Sequence, residues 1–377
     1  MKRGAYAVLK DVLFGNQNVL VLLPGVAVAV LVMLAGAVAA NAIGKAMDWR
    51  EGLLSPILVA IIIGLVVRNV APLPARLEPG IKFGLGKLLR LGIILMGVRL
   101  SVLSVLKIGA AAVGMVFVCI VAGLAITAFV AKKLGISEKL ATLVAAGTSI
   151  CGVSAILASA PTIKAEEEEI AYAVGTITIF GMLATMAYPY MAESFLHLSP
   201  AAAGFFLGTS VHDTSQVTAS SLIYDQLWAH KTSTGLTGAD IAITTKLVRN
   251  TFMVFVIPVL GYWFARKSAH TTSARGLQIA KYIPLFVLGY IVVVLLRSLG
   301  DYAFGTSDAS WTSACDFVKT SATYLIAIAV SCIGLNTNIR KLTKLGYKPF
   351  VCGLIAAVSV GAVSWLLVTG LGSYLKF

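Results

Sequence analysis

Two short polar stretches hold most of the residues with which this chain could do chemistry: Gly147-Thr148-Ser149-Ile150-Cys151-Gly152 and Gly208-Thr209-Ser210-Val211-His212-Asp213-Thr214-Ser215-Gln216. Both begin Gly-Thr-Ser, and both interrupt otherwise apolar sequence. The first, with Ser154 just beyond it, offers hydroxyls, a thiol and main-chain amides but no charge. The second adds His212 and Asp213, the one carboxylate expected deep in an apolar region. An ionisable group in such a place is functional by default. A structural role competes, because Asp213-Thr214-Ser215-Gln216 has the spacing of a capping box at the start of a helix. His212 is either a satisfied core residue or a proton-coupling group with a suitable unperturbed pKa.

Positive charge comes from Lys246 and Arg249, three apart and so on one face of a helix, with Asn250 and Thr251 following. Either they snorkel to an interface, or they bind an anion or neutralise Asp213. If helices restart after the two breaks, their N-terminal dipole ends and free amides suit an anion between them. The expected donors are the amides and hydroxyls of Thr148, Ser149, Thr209, Ser210 and Ser215. Single hydroxyls are weak signals, since Ser and Thr in membrane helices commonly bond to their own backbone. Glu166-Glu167-Glu168-Glu169 reads as a solvated helix start, and Arg90 and Arg99 as interfacial residues.

The elements that must position these residues are set by composition. Hydrophobic residues make up 58% of the 377, charged residues only 12%, and the mean hydropathy is +0.92. That excludes an ordinary soluble domain and implies an all-α polytopic membrane protein. The net charge of +14 then reflects cytoplasmic loops rather than nucleic-acid binding. Cys119, Cys151, Cys315, Cys332 and Cys352 lack CxxC spacing and read as small buried hydrophobes, and no cofactor or metal site is expected.

Continuous spans are expected at 19–42, 52–70, 84–106, 109–131, 168–191, 241–265, 281–299, 319–338 and 349–373, the N-terminal one uncleaved. Basic groups at Lys2, Arg3 and Lys10; Arg68, Arg76 and Lys82; Lys132, Lys133 and Lys139; Arg266, Lys267, Arg275 and Lys281; and Arg340, Lys341, Lys344 and Lys348 share one side if the N-terminus is cytoplasmic. The stretch from Asp225 to Gly238 is then an external loop. The broken stretches 138–164 and 199–225, expected to form the core of a single transporter unit over 1–377, either cross or dip in and return. Gly97-Val98-Arg99-Leu100 with Lys107-Ile108-Gly109 resembles Gly334-Leu335-Asn336-Thr337 with Lys344-Leu345-Gly346 in inverted orientation. In a second pair of copies Lys246 matches Gly175 and Arg249 matches Thr178. Inverted repeats favour nine spans plus two re-entrant hairpins over eleven spans.

The GTSICGVSAI and GTSVHDTSQV motifs, with the GVRL and GLNT elements, resemble a bacterial family named for sulfate export, also known as conserved hypothetical membrane proteins. The resemblance runs from about Leu20 through nearly the whole chain. It implies an inner-membrane secondary transporter of a sulfur-containing or other small anion. More distantly, the break-then-span pattern is similar to the bile-acid/sodium symporter and cation/proton antiporter superfamily, which implies a panel domain and a core domain with paired broken helices. This chain lacks that superfamily's paired aspartates and has Cys151-Gly152 where proline or further glycines are common, which counts against sodium coupling.

The expected function is alternating-access carriage of sulfate, sulfite, a sulfonate or a similar anion by a multi-pass inner-membrane protein. The expected site is Gly147, Thr148, Ser149, Cys151, Gly152, Ser154, Gly208, Thr209, Ser210, His212, Asp213, Thr214, Ser215, Gln216, Lys246, Arg249 and Asn250. A proton or sodium could couple, and a homodimer is compatible with the apolar helix faces. Alternatives are cation/proton exchange at Asp213, a channel, and an intramembrane hydrolase using Ser215 or Cys151 with His212.

Overall fold

The computed structural model describes residues 19–48, 54–70, 72–228, 236–267, 285–338 and 347–371. Among these, all regular structure is helical. Lys2, Arg3, Lys10, Arg275, Lys281, Arg340, Lys341 and Lys344 lie outside the described residues, as do Leu345-Gly346 of the second repeat copy and residues 229–235 of the expected external loop.

In chain order the α-helices are α1 (Val19–Ala46), α2 (Pro56–Val70), α3 (Glu78–Phe83), α4 (Leu89–Met96), α5 (Val102–Leu134), α6 (Glu138–Ser149), α7 (Val153–Ser159), α8 (Glu167–Tyr190), α9 (Pro200–Ser210), α10 (Thr214–Trp228), α11 (Gly238–Thr251), α12 (Met253–Lys267), α13 (Leu285–Phe304), α14 (Ala309–Asn336) and α15 (Tyr347–Gly370). Seven stretches among the described residues are long and apolar enough to cross a membrane: Val19–Ala46, Val102–Leu134, Glu167–Phe195, Gly238–Phe264, Leu285–Phe304, Ala309–Asn336 and Tyr347–Gly370. Their outward residues, such as Leu20, Val38, Phe129, Phe255 and Leu366, are large, apolar and exposed, as lipid contact requires.

Two expected spans differ. Among the described residues of the one at 52–70, helix runs over Pro56–Val70, and residues 52–53 lie outside them. The one at 84–106 is not one helix. Glu78 to Arg99 is a helical run whose winding changes through a π turn at Gly84–Leu88 and a 3-10 turn at Gly97–Arg99. Ser101 then caps α5 by accepting from Ser104 N at 3.2 Å. The boundary therefore falls at Leu100-Ser101, and Lys107-Ile108-Gly109 lies inside α5.

The chain divides into two compact units: Met1–Arg99 with Tyr290–Ile339, and Leu100–Gly289 with Arg340–Phe377. In the first, glycines allow backbones to touch. A Cβ on Gly334 of α14 would stand 2.1 Å from Ile61 O of α2. This is the small-residue packing by which helices associate where hydrophobicity drives nothing. Asn69 Nδ2 bridges the same pair, donating to Leu65 O at 2.8 Å and Thr337 O at 2.9 Å.

The second unit contains both broken stretches, and each folds back on itself. Ser137 caps α6 and also donates its hydroxyl to Glu169 Oε1 at 2.6 Å, in the first turn of α8. Leu140, early in α6, shares a buried cluster with Ala160 and Ile163, just past α7. A straight passage through both halves would separate those ends by about 30 Å at ~1.5 Å per residue. In the second stretch Tyr224, late in α10, donates to Leu198 O at 2.5 Å, just before α9. The two hairpin bases lie at opposite ends of α8, whose 24 residues span about 36 Å. The hairpins therefore point toward each other from opposite directions.

Candidate functional site

The tips of the hairpins meet. Gly152 sits at φ +70°, and a Cβ there would lie 3.2 Å from Asp213 Cα, Cβ and Oδ2. Only glycine adopts this backbone readily, and its bare face lets the second break approach. On the second hairpin, Gly208 brings α9 against α11, where a Cβ would stand 2.7 Å from Thr245 Cβ and 2.8 Å from Ala242 O. Close contact with α11 delivers Lys246 and Arg249 to the crossing. Thr237 and Asp240 start α11 with a capping box.

Both cations are fully buried, at 0% exposure, so neither snorkels. Lys246 Nζ donates to Ile150 O at 3.0 Å, to Val211 O at 2.9 Å and to His212 O. Arg249 donates from Nε to Ser149 O at 2.8 Å and from Nη2 to Thr148 O at 2.5 Å. Its Nη1 donates to Thr209 O at 2.5 Å and Val211 O at 3.4 Å. These carbonyls belong to the ends of α6 and α9 and the residues after them, where a helix leaves its last C=O groups unpaired and its dipole is negative. The two cations thus cap two helix C-termini at once and tie the breaks together. Neither forms a salt bridge with Asp213, although that carboxylate lies near enough to Lys246 for the two charges to interact.

Asp213 serves the opposite ends. Its Oδ1 accepts from Ser215 N at 2.8 Å and Ser215 Oγ at 2.5 Å, while Gln216 Oε1 accepts from Asp213 N at 3.2 Å. This is the capping arrangement the spacing suggests, at the start of α10. Gln216 also packs on α8, where a Cβ on Gly181 would stand 2.0 Å from Gln216 Oε1.

The expected hydroxyl donors are mostly engaged within their own helices. Thr148 Oγ1 donates to Val144 O at 2.6 Å, Thr209 Oγ1 to Phe205 O at 2.7 Å and Ser210 Oγ to Phe206 O at 2.6 Å. The reason is geometric: a hydroxyl in the last turn of a helix reaches the carbonyl four residues back without strain. Ser149 Oγ, wholly buried and facing Gly123 of α5, has no hydrogen-bond partner. Neither ring nitrogen of buried His212 makes a well-formed hydrogen bond, although the Thr148 backbone lies close enough to interact with the ring. Cys151 Sγ lies 2.9 Å from Met253 Sδ. Asn250 Nδ2 donates to Thr214 Oγ1 at 3.1 Å, and its buried Oδ1 has no partner.

One side of the crossing is reachable. Ser154 is exposed, and Val153, Asp213, Thr214 and Ser215 are half-buried, while Gly147, Thr148, Ser149, Gly152, Gly208, Thr209, Ser210, His212, Gln216, Lys246, Arg249 and Asn250 are buried. The structure gathers the breaks and the cations at one place. Sequence reasoning missed the carbonyls of Ile150 and Val211, because an apolar side chain advertises no ligand. It also missed Ser364, whose Oγ lies 2.6 Å from Thr209 Oγ1.

Residues 25–353 match a family described as conserved hypothetical protein 698. A UPF0324 membrane protein of Bacillus anthracis is 32% identical over 322 residues, 85% of this chain and 88% of that protein. Another, of Fusobacterium nucleatum, is 30% identical over 326 residues, covering 84% and 92% of the two chains. One of Streptococcus pneumoniae is 32% identical over 318 residues, covering 83% and 90%. No solved structure matches the chain. With its matching residues running through α1 to α15 and relatives named as membrane proteins, this polytopic helical chain belongs to the conserved hypothetical protein 698 family, the UPF0324 membrane proteins.

Proposed function

We propose that the chain is a secondary carrier, not an enzyme, moving a small anion across the bacterial inner membrane by alternating access with its N-terminus cytoplasmic. The observation that supports this most directly is the pair of wholly buried cations, Lys246 and Arg249, at the meeting of two helix breaks. Their carbonyl partners are dipoles, whose fields fall off faster than those of full charges. A few ångströms away the crossing therefore acts as two positive charges with one carboxylate, Asp213. An anion reaching the lip at Ser154, Thr214 and Ser215 is favoured there in a medium of low dielectric constant. Paired broken helices within one unit, approached from opposite ends of α8, also support the inverted-repeat reading, since carriers of that kind place their sites at such breaks. Sulfate, sulfite and sulfonates are the substrates to try first, following the sequence resemblance.

Uptake by proteoliposomes of radiolabelled sulfate, sulfite, an alkanesulfonate and a monocarboxylate tests the reading. Ser154→Glu is the informative variant. Ser154 is exposed and second in α7, where an acid favours the helix dipole, so stability holds while anion uptake falls at least tenfold. No uptake of any anion by the wild type, together with collapse of a proton gradient on adding Na⁺ or K⁺, would move the function to cation/proton exchange at Asp213.

A further inference from the structure

The carbonyl oxygens gathered by the two cations are those of Thr148, Ser149 and Ile150 from the first hairpin and Thr209, Val211 and His212 from the second. Three of them meet at Lys246 Nζ and four lie around the Arg249 guanidinium, Val211 O serving both. Main-chain carbonyls drawn together from two unwound segments at helix C-termini are the ligand chemistry of an alkali-metal ion. In other carriers, unwound carbonyls and half-helix C-terminal ends coordinate Na⁺ or H⁺. Here the positive charge is covalently part of α11. Lys246 Nζ has three N–H donors and meets three acceptors, so it is fully engaged as an ammonium. Arg249 meets four carbonyls through three nitrogens. Each cation reaches both breaks, which is what a bridging metal ion would otherwise do.

We infer that Lys246 and Arg249 are resident cations standing where a coupling alkali-metal ion would bind, so that this chain binds no sodium at the crossing and its transport cycle requires none. The inference rests on the carrier reading and narrows the coupling ion to a proton or a counter-transported anion. The charged and titratable groups around Lys246 are Arg249 on its own helix, Cys151 on the first break and Asp213 and His212 on the second. A metal ion added to this set would face two fixed positive charges, and that repulsion excludes it.

The test needs no transported substrate, so its outcome is independent of whether the anion has been identified. The purified full chain in detergent is unfolded thermally in NaCl, LiCl, KCl and choline chloride at equal ionic strength, and ²²Na⁺ binding is measured by scintillation proximity. The wild type is expected to melt at one temperature in all four salts and to bind no ²²Na⁺. Lys246→Ala removes the ammonium and leaves its three carbonyls facing a small space. This variant is expected to melt lower than wild type in choline and to regain several degrees, saturably, in NaCl or LiCl. Saturable ²²Na⁺ binding or sodium-specific stabilisation of the wild type overturns the inference. So does a Lys246→Ala protein whose melting is the same in all four salts. If that variant cannot be purified, Lys246→Ser is measured in its place, and the wild-type measurement stands by itself.

Discussion

At the scale of single residues, the crossing assigns opposite duties to opposite charges. Lys246 and Arg249 satisfy carbonyls at helix C-termini, whereas Asp213 satisfies amides at a helix N-terminus. Asparagine caps nearly as well as aspartate. Asp213→Asn should therefore keep the fold within about 0.5 kcal/mol, while Asp213→Ala loses about 1 kcal/mol in chemical unfolding. If Asp213→Asn also abolishes uptake, the carboxylate's charge acts in the cycle beyond its capping role. Arg249→Lys should behave unlike a conservative change. One ammonium has three donors and no planar fork, whereas the guanidinium reaches four carbonyls. Val211 O keeps Lys246 Nζ. Without the fork, an ammonium does not reach the carbonyls of Thr148, Ser149 and Thr209 together, and each one left without a donor loses about 1–3 kcal/mol. Equal denaturation midpoints for Arg249→Lys and the wild type would refute that account.

At the scale of elements, the two hairpins depend on glycines that hold chains close together. Gly152→Ala combines a positive φ with a Cβ 3.2 Å from Asp213. Its expected effect is a destabilisation of about 1–3 kcal/mol, read as a lowered melting temperature with anion uptake reduced in step. Gly208→Val should push α9 off α11, since its Cβ would already stand 2.8 Å from the Ala242 carbonyl. A well-folded Gly208→Val protein with normal uptake would count against close α9–α11 packing as the means of placing the cations. Both hairpins were legible as breaks, because polar residues and glycines inside apolar runs interrupt hydropathy. The run from Glu78 to Arg99 was harder to read. Its π and 3-10 turns leave hydropathy unchanged, and only the Ser101 cap marks where α5 begins.

At the scale of the molecule, the described residues form two compact units, and all five cysteines are free and buried. Cys119, Cys151 and Cys352 belong to the second unit, Cys315 and Cys332 to the first. Lys246→Met should leave the buried carbonyls of Ile150 and His212 without a donor in the second unit, Val211 O keeping Arg249. It should then lower the temperature at which Cys119, Cys151 and Cys352 react with a maleimide while leaving Cys315 and Cys332 little changed, with mass spectrometry resolving each site. Simultaneous reaction of all five would show instead that the units unfold as one. Composition and periodicity alone determined that the chain is helical and polytopic, and where its polar interruptions fall, since the cost of placing polar groups in hydrocarbon is a property of each residue. Which groups answer the buried charges was decided by tertiary structure. Every residue carries a carbonyl, so no side-chain pattern can announce which of them will converge; only the folding back of two hairpins against α11 brought those of Ile150, Val211 and His212 to one ammonium.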